Sequence, residues 1–139
     1  MRGPAMFAAF PLLALPVLLY NLIALMGGAA TPTRLAGEIA TFEMASDAVW
    51  SVSVGDLLLS LALVVLFVEL LKSANSRRVA IINHGLSLVL FVICLIEFLL
   101  GAPFATSVFF LLTVMVLLDV LAGFIVSIVA ARRDVGFGG

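Results

Sequence analysis

The chain has 139 residues, of which 65% are hydrophobic and 11% charged, and its net charge is −1. Soluble domains carry about 25% charged and about 45–50% apolar residues, so there is too little polar surface here to cover a globule in water. One histidine and one cysteine exclude an intramolecular disulfide and any His- or Cys-cluster metal site within the chain, and the charge balance gives no footprint for nucleic acid.

The solvent that suits such a composition is lipid. A hydrocarbon core about 30 Å thick takes about 20 apolar residues in helix. Lipid offers no partner to backbone N–H and C=O groups, so each crossing must be helical. Four stretches qualify, residues 6–26, 54–71, 79–100 and 104–131. The expected fold is all-α, a single membrane domain of four transmembrane helices in an antiparallel bundle.

Arg2 precedes the first stretch, and Pro11 and Pro16 interrupt it. Its end, GGAATP, has small residues at Gly28 and Ala30, so residues 1–30 have a rival reading as a cleaved signal peptide. The apolar run exceeds the usual length of about 7–15 residues for such a peptide, which favours a retained span. Tyr20 and Trp50 fit the outer interfacial belt.

Residues 31–53 form the outer segment. Within 31–50, Leu35, Ile39, Phe42, Ala45 and Val49 recur at helical spacing, with Arg34, Glu38 and Asp47 between them. This pattern predicts a short amphipathic helix lying over the outer end, started by Thr31-Pro32. Span two then opens on Ser53-Val54-Gly55-Asp56, an S-x-x-D pattern that caps a helix N-terminus. Asp56 suits that role and also complements the helix dipole. Near the other end of the span, Glu69 lies one turn from Lys72, where the two can pair at the interface.

The turn 72–78 carries Lys72, Arg77 and Arg78, and Arg132 and Arg133 follow span four. With Arg2, six of the seven basic residues fall on one side of the expected topology, and only Arg34 lies opposite. The positive-inside rule makes the basic side cytoplasmic, with both termini inside. The connector Gly101-Ala102-Pro103 is uncharged; Gly101 can end span three and Pro103 begin span four.

Span three carries Asn83, Ser87, Cys94 and Glu97 within an arc of about 80°, and span four carries Asp119, Gly123, Ser127 and Ala130 within a similar arc at ~100° per residue. Small residues let a second helix approach, and hydroxyl and carboxyl groups bond across the contact. The expected interior holds Asp119, Ser60, Ser87, Thr113 and Cys94 near mid-depth, with Asp56 beside Glu97 as a possible carboxyl pair near the outer end. An ionised carboxylate at mid-bilayer costs at least about 2.5–3.5 kcal/mol, so Asp119 calls for a proton or a cation from elsewhere. His84 fits a neutral ring bonded to an Asn or to Glu69.

Neither a nucleophile–base pair nor a metal spacing is visible, so no enzyme and no cofactor is expected. The chain reads as a non-catalytic inner-membrane protein whose surroundings are the lipid bilayer and either further copies or a larger membrane complex. In that reading it is an accessory or assembly subunit or a self-associating bundle, with Asp119, Gly123, Ser127, Ser87, Glu97 and Asp56 as packing or proton-site candidates. The alternative is a small proton- or cation-coupled transporter or channel using Asp119 and Glu97.

Overall fold

The computed structural model describes residues 9–73 and 77–136. Arg2 and the start of the expected first span, residues 74–76 of the basic turn and residues 137–139 of the tail lie outside the described residues. In chain order the elements are α1 (Ala14–Gly27), a 3₁₀ turn (Gly28–Ala30), α2 (Thr31–Leu35), β1 (Glu38–Glu43), β2 (Val49–Ser53), α3 (Val54–Ser73), α4 (Arg77–Leu100), a second 3₁₀ turn (Ala102–Phe104) and α5 (Ser107–Gly136). Four segments are long and apolar enough to cross a membrane: Ala14–Leu35, Val54–Lys72, Ala80–Leu100 and Ser107–Arg133.

The first of these ends later than the apolar run predicts. Pro11 disfavours helix at the residue before it, and Phe10 is a bend between the helical Ala9 and the start of α1 at Ala14. Pro16 falls in the first turn of α1, where its missing N–H is harmless. At the far end Gly28 turns the chain with φ 51°, a left-handed value that suits glycine. Helical turns then resume, and the Thr31 hydroxyl donates to Gly28 O at 2.7 Å.

The expected outer amphipathic helix is not there. Beyond its first turn, Thr31–Leu35, the segment is an antiparallel hairpin pairing Thr41 with Ser51, Phe42 with Trp50 and Glu43 with Val49. The apolar spacing fits a helix, but the residue types favour strand: Ile39, Thr41, Phe42, Val49, Trp50 and Val52 are β-branched or aromatic. Asp47 supplies the reversal with φ 62°, a left-handed conformation that Asp tolerates better than most residues. The Val54 N–H donates to Gly37 O at 3.0 Å and ties the hairpin base to the start of α3.

Helix α5 lies against both α4 and α3. Its contacts with α4 run in opposite sequence directions: His84 lies over Gly123, Ser87 bonds Asp119, and the Phe98 and Phe110 rings sit 5.7 Å apart. The shared core takes Leu13, Val17, Tyr20 and Ala24 from α1 and its approach, Leu58, Ala62 and Leu66 from α3, and Phe109, Leu112, Met115 and Val116 from α5. On α4 the buried positions are Ala80, Asn83, Ser87 and Cys94, while Ile81, Val89, Val92 and Leu99 are exposed. That helix therefore turns its small and polar side inward and its large apolar side outward. Such a distribution suits a surrounding of lipid or protein and not water.

Candidate functional site

Three groups of polar side chains lie inside the helices, at successive levels. The first is at the end where α3 leads into α4. Glu69 is fully buried, and it gathers three segments of chain. Its Oε2 accepts the Leu12 N–H at 2.7 Å, its Oε1 accepts the Asn83 amide, and Lys72 Nζ lies 3.3 Å from Oε1. Asn83 Nδ2 also donates to Ala9 O at 3.2 Å, and Lys72 Nζ donates to Phe10 O at 2.7 Å. The backbone groups that Pro11 keeps out of a helix are thus the ones Glu69, Lys72 and Asn83 satisfy. Irregular backbone away from water is tolerable where protein supplies such partners.

The second level holds Asp119, fully buried on α5. Ser87 on α4 donates its hydroxyl to Asp119 Oδ2 at 2.6 Å, a length typical of a charge-assisted O–H···O bond. One turn further along each helix, the His84 ring lies on Gly123, where an added Cβ would stand 2.1 Å from His84 Cγ. Gly123 is therefore the gap that admits the imidazole. Four buried side-chain atoms among the described residues have no hydrogen-bond partner: Asn83 Oδ1, both ring nitrogens of His84, and Asp119 Oδ1. All four belong to this level and its border with the first.

The third level is at the hairpin end. Asn21 Nδ2 of α1 donates to Glu97 Oε2 of α4 at 3.3 Å. Tyr20, expected in an interfacial belt, is fully buried between the Phe104 and Phe109 rings. Its hydroxyl lies 2.6 Å from Thr106 Oγ1 and donates to Pro103 O at 3.0 Å. Trp50 is exposed on the hairpin, its ring 5.8 Å from that of Phe42. Asp56 is exposed and caps α3: Ser53 N and Ser53 Oγ both donate to Asp56 Oδ2, at 2.9 and 2.8 Å, and the Asp56 N–H returns to Ser53 Oγ at 3.1 Å. An open cavity of about 380 Å³ beside the hairpin base is lined by Pro32, Leu35, Ser53 and Thr106 and brings no titratable side chain to its wall.

Several expectations change. Glu97 meets Asn21 and not Asp56, so the two carboxyls form no pair. Ser60 and Ser127 are exposed and not interior; Ser127 bonds back to Gly123 O at 2.9 Å. Thr113 is buried but its hydroxyl returns to Phe109 O at 2.9 Å in its own helix. His84 bonds neither Asn83 nor Glu69, because Asn83 takes Glu69 itself. Glu69 is the acid that sequence reasoning undervalued. The signal was available in Pro11, since a broken helix beginning releases backbone groups that some buried acid and amide must meet.

Among the described residues, no group of three or more His, Cys, Asp or Glu side chains converges as a metal site would require. No protein-family model matches the chain, and no curated protein and no solved structure is similar to it.

Proposed function

We propose that the chain is a multi-pass inner-membrane protein, both ends cytoplasmic, that works without catalysis as an accessory or assembly subunit of a membrane complex or as a self-associating four-helix bundle. One observation carries this reading. Four acids of the long helices are tied within the chain: Glu69 to Leu12, Lys72 and Asn83, Glu97 to Asn21, Asp119 to Ser87, and Asp56 to its own cap. Three of them, Glu69, Glu97 and Asp119, join one helix to another. The exposed apolar flank of α5 (Phe124, Ile125, Ile128 and Val129) is free for lipid or a partner helix.

Native mass spectrometry of the protein, extracted gently from its own membrane, tests the reading. A stoichiometric complex, with itself or with other chains, supports assembly; a strict monomer removes it. Orientation is tested on a Cys94→Ala background, since Cys94 is the one cysteine of the chain. Cysteines at Glu43 and Ser51 should react with an impermeant reagent from outside, and one at Ser76 only after the membrane is opened. The reverse pattern breaks the orientation.

The transport alternative draws on Asp119 alone. Its Oδ1 is unpartnered, whereas Glu97 is bonded to Asn21 and stands about 15 Å along α4 from the Ser87 level, at ~1.5 Å per residue.

A further inference from the structure

Buried polar atoms in native proteins nearly always have partners, so an unpartnered one asks for an account. Here four occur together, on three neighbouring side chains. Asn83 Oδ1 is an acceptor by necessity. Its Nδ2 faces two acceptors, Glu69 Oε1 and Ala9 O, and a flipped amide would set oxygen against oxygen at both contacts. Asp119 Oδ1 is likewise an acceptor unless it carries a proton, since Oδ2 already takes the Ser87 hydroxyl. His84, next to Asn83 in α4 and laid on Gly123 one turn from Asp119, is the side chain with ring N–H groups to offer: one when neutral, two when protonated.

Among the described side chains, few charges face this group. Helix α3 brings Glu69 and Lys72, which pair with each other. Helix α5 brings Asp119 itself, and α1 brings no titratable side chain except Tyr20, which is at the hairpin end. Among the described side chains, the acid and the imidazole are thus left to balance each other.

We propose that His84 and Asp119 form a proton-binding site, sharing one exchangeable proton across the α4–α5 contact, with Asn83 Oδ1 and the Ser87 hydroxyl fixing its two ends. With the proton bound, the pair is neutral overall, either as carboxylic acid and imidazole or as carboxylate and imidazolium. The transfer breaks the O–H bond at Asp119 Oδ1 and forms an N–H bond at the ring, through a turn of the imidazole or one bridging water. Release of that proton leaves a net charge of −1 between the helices, which a dry contact resists. Gly123 is integral to the site because only a residue without Cβ leaves room for the ring there. The proposal rests on the membrane-embedded reading but needs neither transport nor a partner chain.

The test uses the full chain in lipid nanodiscs with a histidine-free affinity tag. His84 is the one histidine, so ¹⁵N-histidine labelling reports a single ring. Its nitrogen shifts should titrate with pH, and in Asp119→Asn the midpoint should move by at least tenfold in proton concentration, with the helical signal unchanged. Should Asp119→Asn fold poorly, Ser87→Ala keeps the carboxyl and removes its fixing bond, and it should move the same midpoint by at least threefold. A ring that does not titrate, or whose midpoint is the same in the wild type and the folded variant, overturns the site. Loss of the membrane reading would appear separately, as protein released from membranes by carbonate washing.

Discussion

The two polar levels around Asn83 use similar residue types and end in different states. At the Glu69 level, each carboxyl oxygen has a donor, and the donors come from three separated parts of the chain. At the Asp119 level, one oxygen is bonded and the other is not, and the neighbouring ring has no partner at either nitrogen. A fully satisfied buried network fixes structure, while a partly satisfied one remains able to exchange a proton or a partner. The difference separates a lock from a switch-like contact within one turn of the same helix.

That contrast is broken most directly at Glu69. Glu69→Ala removes the acceptor for the Leu12 N–H, the Asn83 amide and the Lys72 ammonium together, and loss of one partner of a buried ion pair costs about 3–5 kcal/mol. Denaturant titration in mild detergent should show a loss of that order, and protease should cut near residues 9–13 sooner. Glu69→Gln, which keeps an acceptor, should lose much less. A loss below about 1 kcal/mol in Glu69→Ala, the size of one ordinary hydrogen bond, would mean that the carboxylate is not holding the N-terminal approach to α1, and the two levels would not differ as described.

The Asp119 level is sharpened by two glycines on facing helices. Gly123→Ala places a methyl against the root of the His84 side chain, and overpacking of this kind costs about 1–3 kcal/mol. Gly85 on α4 is exposed and meets nothing within 4 Å. Gly85→Ala should therefore gain about 0.5–1 kcal/mol through helix propensity. Opposite signs for the two variants in the same unfolding assay would place His84 against α5. Equal signs would take the ring off Gly123 and remove the close contact on which the level depends.

What was legible in advance follows from which physical rule acted alone. The last three apolar segments were visible because about 20 consecutive apolar residues have few other fates. The Ser53–Asp56 cap was visible because its four residues are contiguous. The hairpin is not legible in the spacing because Leu35, Ile39 and Phe42 satisfy a helical period while their neighbours satisfy strand propensity. The role of Glu69 was missed because proximity to Lys72 explained it locally, whereas its other partners, Leu12 and Asn83, are set by tertiary contact. Of the small-residue face that spacing predicts on α5, Asp119 and Gly123 are buried and Ser127 is exposed. Spacing alone left open whether it meets its own α4 or another chain, and the answer came from His84 lying on Gly123.

The smallest effect is expected where neither level is touched. Trp50→Ala removes the exposed ring that faces Phe42 across the hairpin, and a cross-strand aromatic pair contributes about 0.2–1 kcal/mol. The hairpin meets the helices chiefly at its base, through the Val54 N–H bond to Gly37 O and the Ser53–Asp56 cap. Trp50→Ala should therefore loosen amide protection in Thr41–Phe42 while helix unfolding moves by less than about 1 kcal/mol, within the range of a single exposed pair. A helix destabilisation as large as that of Glu69→Ala would mean that the hairpin clamps α1 against α3. The hairpin end would then belong with the Glu69 level as a lock, and the Asp119 contact would be left as the one loosely held layer between two fixed ones.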